Sequence, residues 1–161
     1  MRFGLELNNV NDIFLNTDFK VFNDIANKNG QTIKAINLKE GADLTRKEID
    51  ELTEFAGVYG AKGLAYIKVL ESGEWQSPIV KFFSEEEKTK LKNQLNMEPG
   101  DIVFFGAGKT KIVNDSLGHI RKKLAKDRGM IPPDTYAFTW VVDFPMFEYD
   151  ENEKRLKVQE A

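Results

Sequence analysis

Basic side chains are concentrated in one segment of a slightly acidic chain. Residues 109–128 contain seven basic and two acidic side chains, a net charge of +5, whereas the whole 161-residue chain has 23 Lys and Arg, 26 Asp and Glu, and a net charge of −3. A helix over 110–128 would place its lysines opposite its apolar stripe. Such a face is either an ordinary solvated surface or a binding surface for nucleic-acid phosphates. Phosphate contacts position a strand without reading its sequence. The candidate nucleic-acid-binding residues are Lys109, Lys111, Lys122 and Lys126.

The glycine-rich segment before that helix resembles a phosphate-binding loop only superficially. Residues 105–110 read FGAGKT and lie between an apolar run and the predicted helix. A P-loop has the pattern G-x-x-x-x-G-K-[ST], which would require a glycine where this chain has Val103. We therefore expect a tight strand-to-helix turn here rather than a nucleotide site.

The composition excludes several kinds of catalytic site. Cysteine is absent, which excludes disulfides, thiolate nucleophiles and cysteine-ligated metals. His119 is the only histidine, whereas a zinc site needs three or four convergent ligands. The acidic clusters at 85–87 and 150–151 are explained by helix capping and by a polar tail. We expect neither a catalytic residue nor a metal site in this chain.

Length and hydropathy predict one globular domain with short attachments. Hydrophobic residues make up 41% of the chain and charged residues 30%, as in ordinary globular proteins. No run of 18 apolar residues is present and the N-terminus lacks the apolar region of a signal peptide. These features predict a soluble cytoplasmic protein without a membrane contact.

Two capping boxes define predicted helices. Thr45 with Glu48, and Ser84 with Glu87, have the S/T-x-x-E spacing that begins a helix. We also predict a hairpin of strands at 19–25 and 32–38, joined near Asn29 and Gly30. Further strands are predicted at 63–69, 78–83, 102–105 and 138–147. This ββαβ-type order predicts an α+β two-layer sandwich, with an antiparallel or mixed sheet that helices cover on one face.

Six segments, in this order, resemble the bacterial-type aspartyl-tRNA synthetases of class II. Any one of them would be weak evidence, but together they extend over nearly the whole chain. The segments are RFGLEL (2–7), GADLTRKEID (41–50), YGAKGLA (59–65), SPIVKF (77–82), GDIVFF (100–105) and WVVDFPMFE (140–148).

The resemblance implies a division of the chain into three parts. Residues 17–133 are similar to the insertion domain of that family, also called the GAD domain, which has an α+β fold and also occurs in a subunit of tRNA-dependent amidotransferases. Residues 1–16 and 134–161 resemble strands of the class II catalytic core on either side of the insertion. The chain is therefore expected to be an excised fragment with an engineered start at Met1.

The resemblance also implies a function for the parent protein. Members attach aspartate to tRNA with ATP and magnesium, and the parent is expected to be a homodimer. The family's motif 2 and motif 3 arginines and its His-His-Pro-Phe segment have no counterpart here, so the fragment itself is expected to be inactive. Its expected partners are tRNA, near the acceptor arm, and the remainder of the catalytic domain. Two alternatives stay open: a packing or partner-binding module without nucleic-acid contact, and the related amidotransferase domain.

Overall fold

The computed structural model describes residues 3–150 and 153–158. Their contacts divide into two compact units, Phe3–Pro132 and a second that contains 133–150 and 153–158. The helices of the described residues are α1 (Lys20–Ala26), α2 (Arg46–Val58), α3 (Glu85–Leu95) and α4 (Thr110–Asp127), with 3-10 turns at Asn11–Ile13 and Val80–Phe82. The strands are β1 (Asn8–Asn9), β2 (Gln31–Leu38), β3 (Ala65–Val69), β4 (Trp75–Gln76), β5 (Ile102–Lys109), β6 (Phe147–Asp150) and β7 (Arg155–Val158).

An antiparallel sheet in the order β1-β2-β5-β3-β4 forms the centre of the first unit. The longest pairing joins β2 to β5 over eight residues, from Gln31 opposite Lys109 to Leu38 opposite Ile102. Successive side chains of a strand point to opposite faces, so Phe104 and Phe105 enter different apolar clusters. The predicted α+β class, with an antiparallel sheet covered by helices, is confirmed.

Helices cover both faces of this sheet. On one face, α2 and α4 bury Leu52 and Leu117 against Phe104. On the other face, α1, α3 and the two 3-10 turns surround Phe105. Helix α3 contributes Leu91, which is fully buried in that second cluster. The coverage of the sheet therefore extends beyond the single face expected from the sequence.

The capping boxes are confirmed, whereas three local assignments within the first unit are wrong. In both boxes the hydroxyl and the glutamate satisfy each other's backbone N–H. Residues 20–26 are helical instead of extended. Phe22 is the buried residue of this helix, so the alternating burial expected of a strand is absent. Residues 80–82 form a 3-10 turn. Residues 106–109 continue β5 because they pair with β2, so the predicted tight turn is absent there.

The second unit contains a two-stranded ribbon, β6 paired with β7. The pairing places Phe147, Tyr149, Leu156 and Val158 on one face of the ribbon, and all four are exposed. Residues 138–146 form no strand, contrary to the prediction, and Trp140 is 93% exposed. A two-stranded ribbon is at best marginally stable alone, so this unit lacks the burial that stabilises the first.

The first unit includes residues 3–16. Val10 and Phe14 are buried in the second apolar cluster, and Asn11 accepts a hydrogen bond from the Ile33 N–H at 2.6 Å. The assignment of residues 17–133 to the insertion domain, and of residues 1–16 and 134–161 to the catalytic core, stays a prediction.

Candidate nucleic-acid interface

Helix α4, which carries the predicted lysine face, is held on the sheet by apolar packing and by hydrogen bonds at its N-terminus. Its apolar stripe is buried on the sheet, and its first residue, Thr110, donates from both its N–H and its hydroxyl to the Gly30 carbonyl at 3.1 Å. The helix N-terminus is thereby tied to the turn before β2, and the opposite side of the helix faces solvent. The buried stripe is Val113, Leu117, Ile120 and Leu124.

The four candidate lysines are all exposed, but they lie at two ends of α4. Lys109 is the last residue of β5 and Lys111 lies in the first helical turn, whereas Lys122 and Lys126 lie one turn apart near the C-terminus. At 1.5 Å per residue, Lys111 and Lys122 are separated by about 16 Å along the axis. The structure therefore brings the lysines together as two pairs.

Other cations of α4 are engaged within the protein. The Arg121 guanidinium lies 4.8 Å from the centre of the Phe3 ring, and burial lowers its pKa. Lys123 pairs with Asp127 at 2.9 Å. Arg128, just beyond the helix, pairs with Asp43, and its hydrogen bond lowers the pKa of that carboxyl group.

Lys122 and Lys126 differ from these neighbours. Neither forms an ion pair or a side-chain hydrogen bond with any residue in 3–150 or 153–158. An exposed ammonium group without a partner can neutralise an external phosphate without first breaking an internal contact. This pair is the part of the predicted face best suited to bind an anion.

An aromatic pair beside these lysines was missed by the sequence analysis. Tyr59, directly after α2, stacks on His119 of α4 with ring centres 3.8 Å apart and planes 14° apart. Phe55 meets Tyr59 edge to face at 5.3 Å, and the His119 Nδ1 lies 2.8 Å from the Asp115 carbonyl oxygen. The only local signal was the i, i+4 spacing of Phe55 and Tyr59, since the approach of α2 to α4 is a tertiary contact.

The glycine-rich segment has a packing role. A Cβ on Gly106 would lie 2.9 Å from Leu117 Cγ and 3.2 Å from Val113 Cγ1, so glycine allows α4 to lie close to β5. Gly106 to Lys109 pair with β2 and form no loop around a phosphate. The segment also borders a cavity of about 360 Å³ whose lining includes Gly60, Lys62 and Lys109.

Residues 22–117 match the family model described as the GAD domain. The chain belongs to the GAD domain family. This confirms the resemblance found in the sequence. The matched residues include four of the five strands of the sheet, helices α2 and α3, and parts of α1 and α4. No helix within residues 3–150 and 153–158 is long and apolar enough to span a membrane.

Relatives of this GAD domain protein are aspartate–tRNA(Asp/Asn) ligases. The chain is 51% identical to the ligase of Desulfatibacillum aliphaticivorans over 96% of its own length and 26% of the relative. It is 53% identical to that of Nitratidesulfovibrio vulgaris over 96% of its length and 24% of the relative. For Persephonella marina the identity is 49% over 97% of the chain and 26% of the relative. The chain thus spans about a quarter of these relatives, and the similarity extends beyond the GAD domain into both flanks.

Proposed function

We propose that this GAD domain belongs to an aspartate–tRNA ligase that esterifies aspartate to tRNA at the expense of ATP. The observation that supports it is the identity of about one half to ligases over nearly the whole chain, flanks included. The flanks favour a ligase over the amidotransferase subunit, because the family model alone ends at residue 117. Since these relatives are named for both tRNAs, we propose that the ligase charges asparagine tRNA as well.

The chemistry of the proposed ligase would be carried by other parts of the polypeptide. ATP and magnesium are the cofactors that the family implies, but no three His, Cys, Asp or Glu side chains converge on a metal site within 3–150 and 153–158. We assign no step of adenylate formation to residues of this chain. When the 161-residue chain is incubated with ATP and aspartate, we expect no aspartyl-adenylate. Its formation would contradict the assignment.

The proposed partners follow from the same assignment. The remainder of the catalytic domain would contact the exposed apolar residues of 133–158, such as Phe138 at 96% exposure and Trp140. The complete ligase would act as a homodimer in the cytoplasm. Packing against the catalytic domain alone, without tRNA, is the second candidate function, and these exposed apolar side chains are the observation that favours it.

The domain's own role would be to contact tRNA near the acceptor arm through its lysine face. Lys122 and Lys126 support this role because they are exposed, lie one turn apart and have no ion-pair partner among the described residues, while Lys109 and Lys111 extend the positive face to the other end of α4. Contacts of this kind bind the phosphate backbone and depend strongly on salt.

Salt-dependent binding of tRNA to the 161-residue chain tests this role. We expect the Lys122→Gln/Lys126→Gln variant to make the negative slope of log affinity against log salt less steep by about 1.4 to 1.8, since each phosphate contact contributes about 0.7 to 0.9 to its magnitude. The matched control is Lys20→Gln/Lys92→Gln, which removes two exposed lysines from the opposite face of the sheet. An equal effect of the two variants would contradict the assigned face.

A further inference from the structure

The Tyr59–His119 pair is an unusual feature for the surface of α4. Both residues are half-buried, and their rings are parallel at 3.8 Å. One face of each ring is therefore covered by the other. Phe55 supports the pair from the α2 side by its edge-to-face contact with Tyr59.

Lys122 and Lys126, which have no ion-pair partner among the described residues, lie on the same side of α4 as His119. At 100° per residue, Lys122 and Lys126 are about 60° and 20° from His119 around the axis, and about 4.5 and 10.5 Å along it. The His119 ring and the two exposed ammonium groups are thus neighbours on one face of α4. Asp115 lies within the same sector and is the one exposed carboxylate there among the described residues of α4.

We propose that the Tyr59–His119 pair stacks an unpaired base of an RNA strand whose phosphates are held by Lys122 and Lys126. This rests on the proposed contact with tRNA and makes it more specific. Aromatic rings next to lysines are the combination that binds single strands, because every base offers a face for stacking and the backbone offers charge. A base inside a duplex is already stacked on its neighbours, so this platform selects single-stranded RNA.

A purely structural role for the ring pair makes a different prediction. If the stack only holds α2 against α4, its loss lowers stability and affects binding of all RNA alike. If it binds a base, its loss affects only RNA that offers an unpaired base. His119→Phe preserves a ring at this position, whereas His119→Leu fills similar space without one, so the pair of variants separates stacking from packing.

The experiment measures fluorescence anisotropy of two labelled RNA stem-loops with the 161-residue chain, one with a single-stranded 3′ tail and one with a blunt end. For the tailed RNA we expect His119→Leu to weaken binding about ten-fold, which is about 1.4 kcal/mol and within the range for one stacked base. His119→Phe should bind within about two-fold of the parent chain. Both variants should bind the blunt RNA as the parent does. Asp115→Asn should strengthen binding of both RNAs, because it removes a carboxylate beside the phosphates.

Each outcome of this experiment has one meaning. If His119→Leu binds the tailed RNA as tightly as His119→Phe, the stacking proposal is wrong. The proposed function then still stands if Lys122→Gln/Lys126→Gln weakens both RNAs. If the lysine variant changes neither RNA, the phosphate contact itself is wrong. Circular dichroism melting of each variant confirms that the compared chains are folded at the temperature of the assay.

Discussion

The two compact units use aromatic side chains in opposite ways. In Phe3–Pro132, Phe14, Phe104 and Phe105 are at most 1% exposed and lie against both faces of the sheet. In the second unit, Phe138 is 96% and Trp140 is 93% exposed. Similar residue types therefore stabilise the first unit but contribute little to the second. We infer that the first unit folds through its own contacts, while the second depends on surfaces that other parts of a ligase would supply.

The largest expected effect comes from truncating a buried phenylalanine of the first unit, with an exposed phenylalanine of the second unit as the comparison. Phe105→Ala should lower the free energy of unfolding by about 3–5 kcal/mol, because it removes a buried ring and leaves a cavity. Phe138→Ala should change it by less than about 0.5 kcal/mol, as for other exposed sites. Urea unfolding followed by circular dichroism measures both. A comparable loss for Phe138→Ala would show that the second unit contributes to the stability of the chain.

A smaller effect is expected from adding a methyl group to glycine within the first unit. Gly41→Ala should destabilise by about 1–3 kcal/mol, because its Cβ would lie 2.5 Å from Ile102 Cγ2 and 2.7 Å from Leu38 Cδ2. Gly57→Ala is the control, since nothing lies within 4 Å of its Cβ and alanine favours the helix. Thermal melting should show a lower midpoint for the first variant and an equal or higher one for the second. Equal melting curves would contradict close packing at Gly41.

The smallest expected effect is the pH dependence of one buried carboxylate. Burial by itself raises the pKa of Asp101, but hydrogen bonds from Asn37, the Glu98 N–H, Lys39 and the Glu40 N–H outweigh it and lower the pKa below its usual 3.8. Stability from this group is complete above the pKa of the unfolded chain and is lost as the pH falls through the folded pKa. We therefore expect the free energy of unfolding to decline below about pH 4.

Asp101→Asn should flatten that acid decline, while Lys157→Gln should leave it unchanged. Hydrogen bonds to Glu148 and Asp150 raise the pKa of Lys157, but this lysine is exposed, and ion pairs of an exposed lysine contribute little to stability. Urea titrations between about pH 2 and pH 6 measure the change. If the free energy of unfolding of the Asp101→Asn variant declined equally at acid pH, the decline would be due to other carboxylates.

The sequence predicted the elements whose signals are local. The capping boxes at Thr45 and Ser84 determine where α2 and α3 begin, and the 3.6-residue pattern of α4 gave its buried stripe. Helix α1 was assigned as a strand because seven residues are too few to separate the two periods. Gly106 and Gly108 signal a turn locally, yet pairing with β2, some 75 residues earlier in the chain, holds them extended.

The sequence predicted which lysines of the candidate interface lie on the outer face of α4, but it did not predict the tertiary contacts around them. Helical periodicity alone placed Lys122 and Lys126 on the outer face. Which cations would be engaged internally depends on tertiary contacts, such as Arg121 over Phe3 and Arg128 with Asp43. The same holds for the stack of Tyr59 on His119, since it joins two helices that are distant in sequence.

Aminoacylation kinetics of the proposed full-length ligase test the central claim most directly. Lys122→Glu/Lys126→Glu should raise the KM for tRNA by about ten-fold with kcat nearly unchanged, because contacts far from the reacting atoms bind substrate and transition state equally. Lys20→Glu/Lys92→Glu, with the same change of charge on the opposite face, should leave both constants as in the parent. A KM for tRNA that the first variant leaves unchanged would contradict a tRNA-contacting role and favour the packing function.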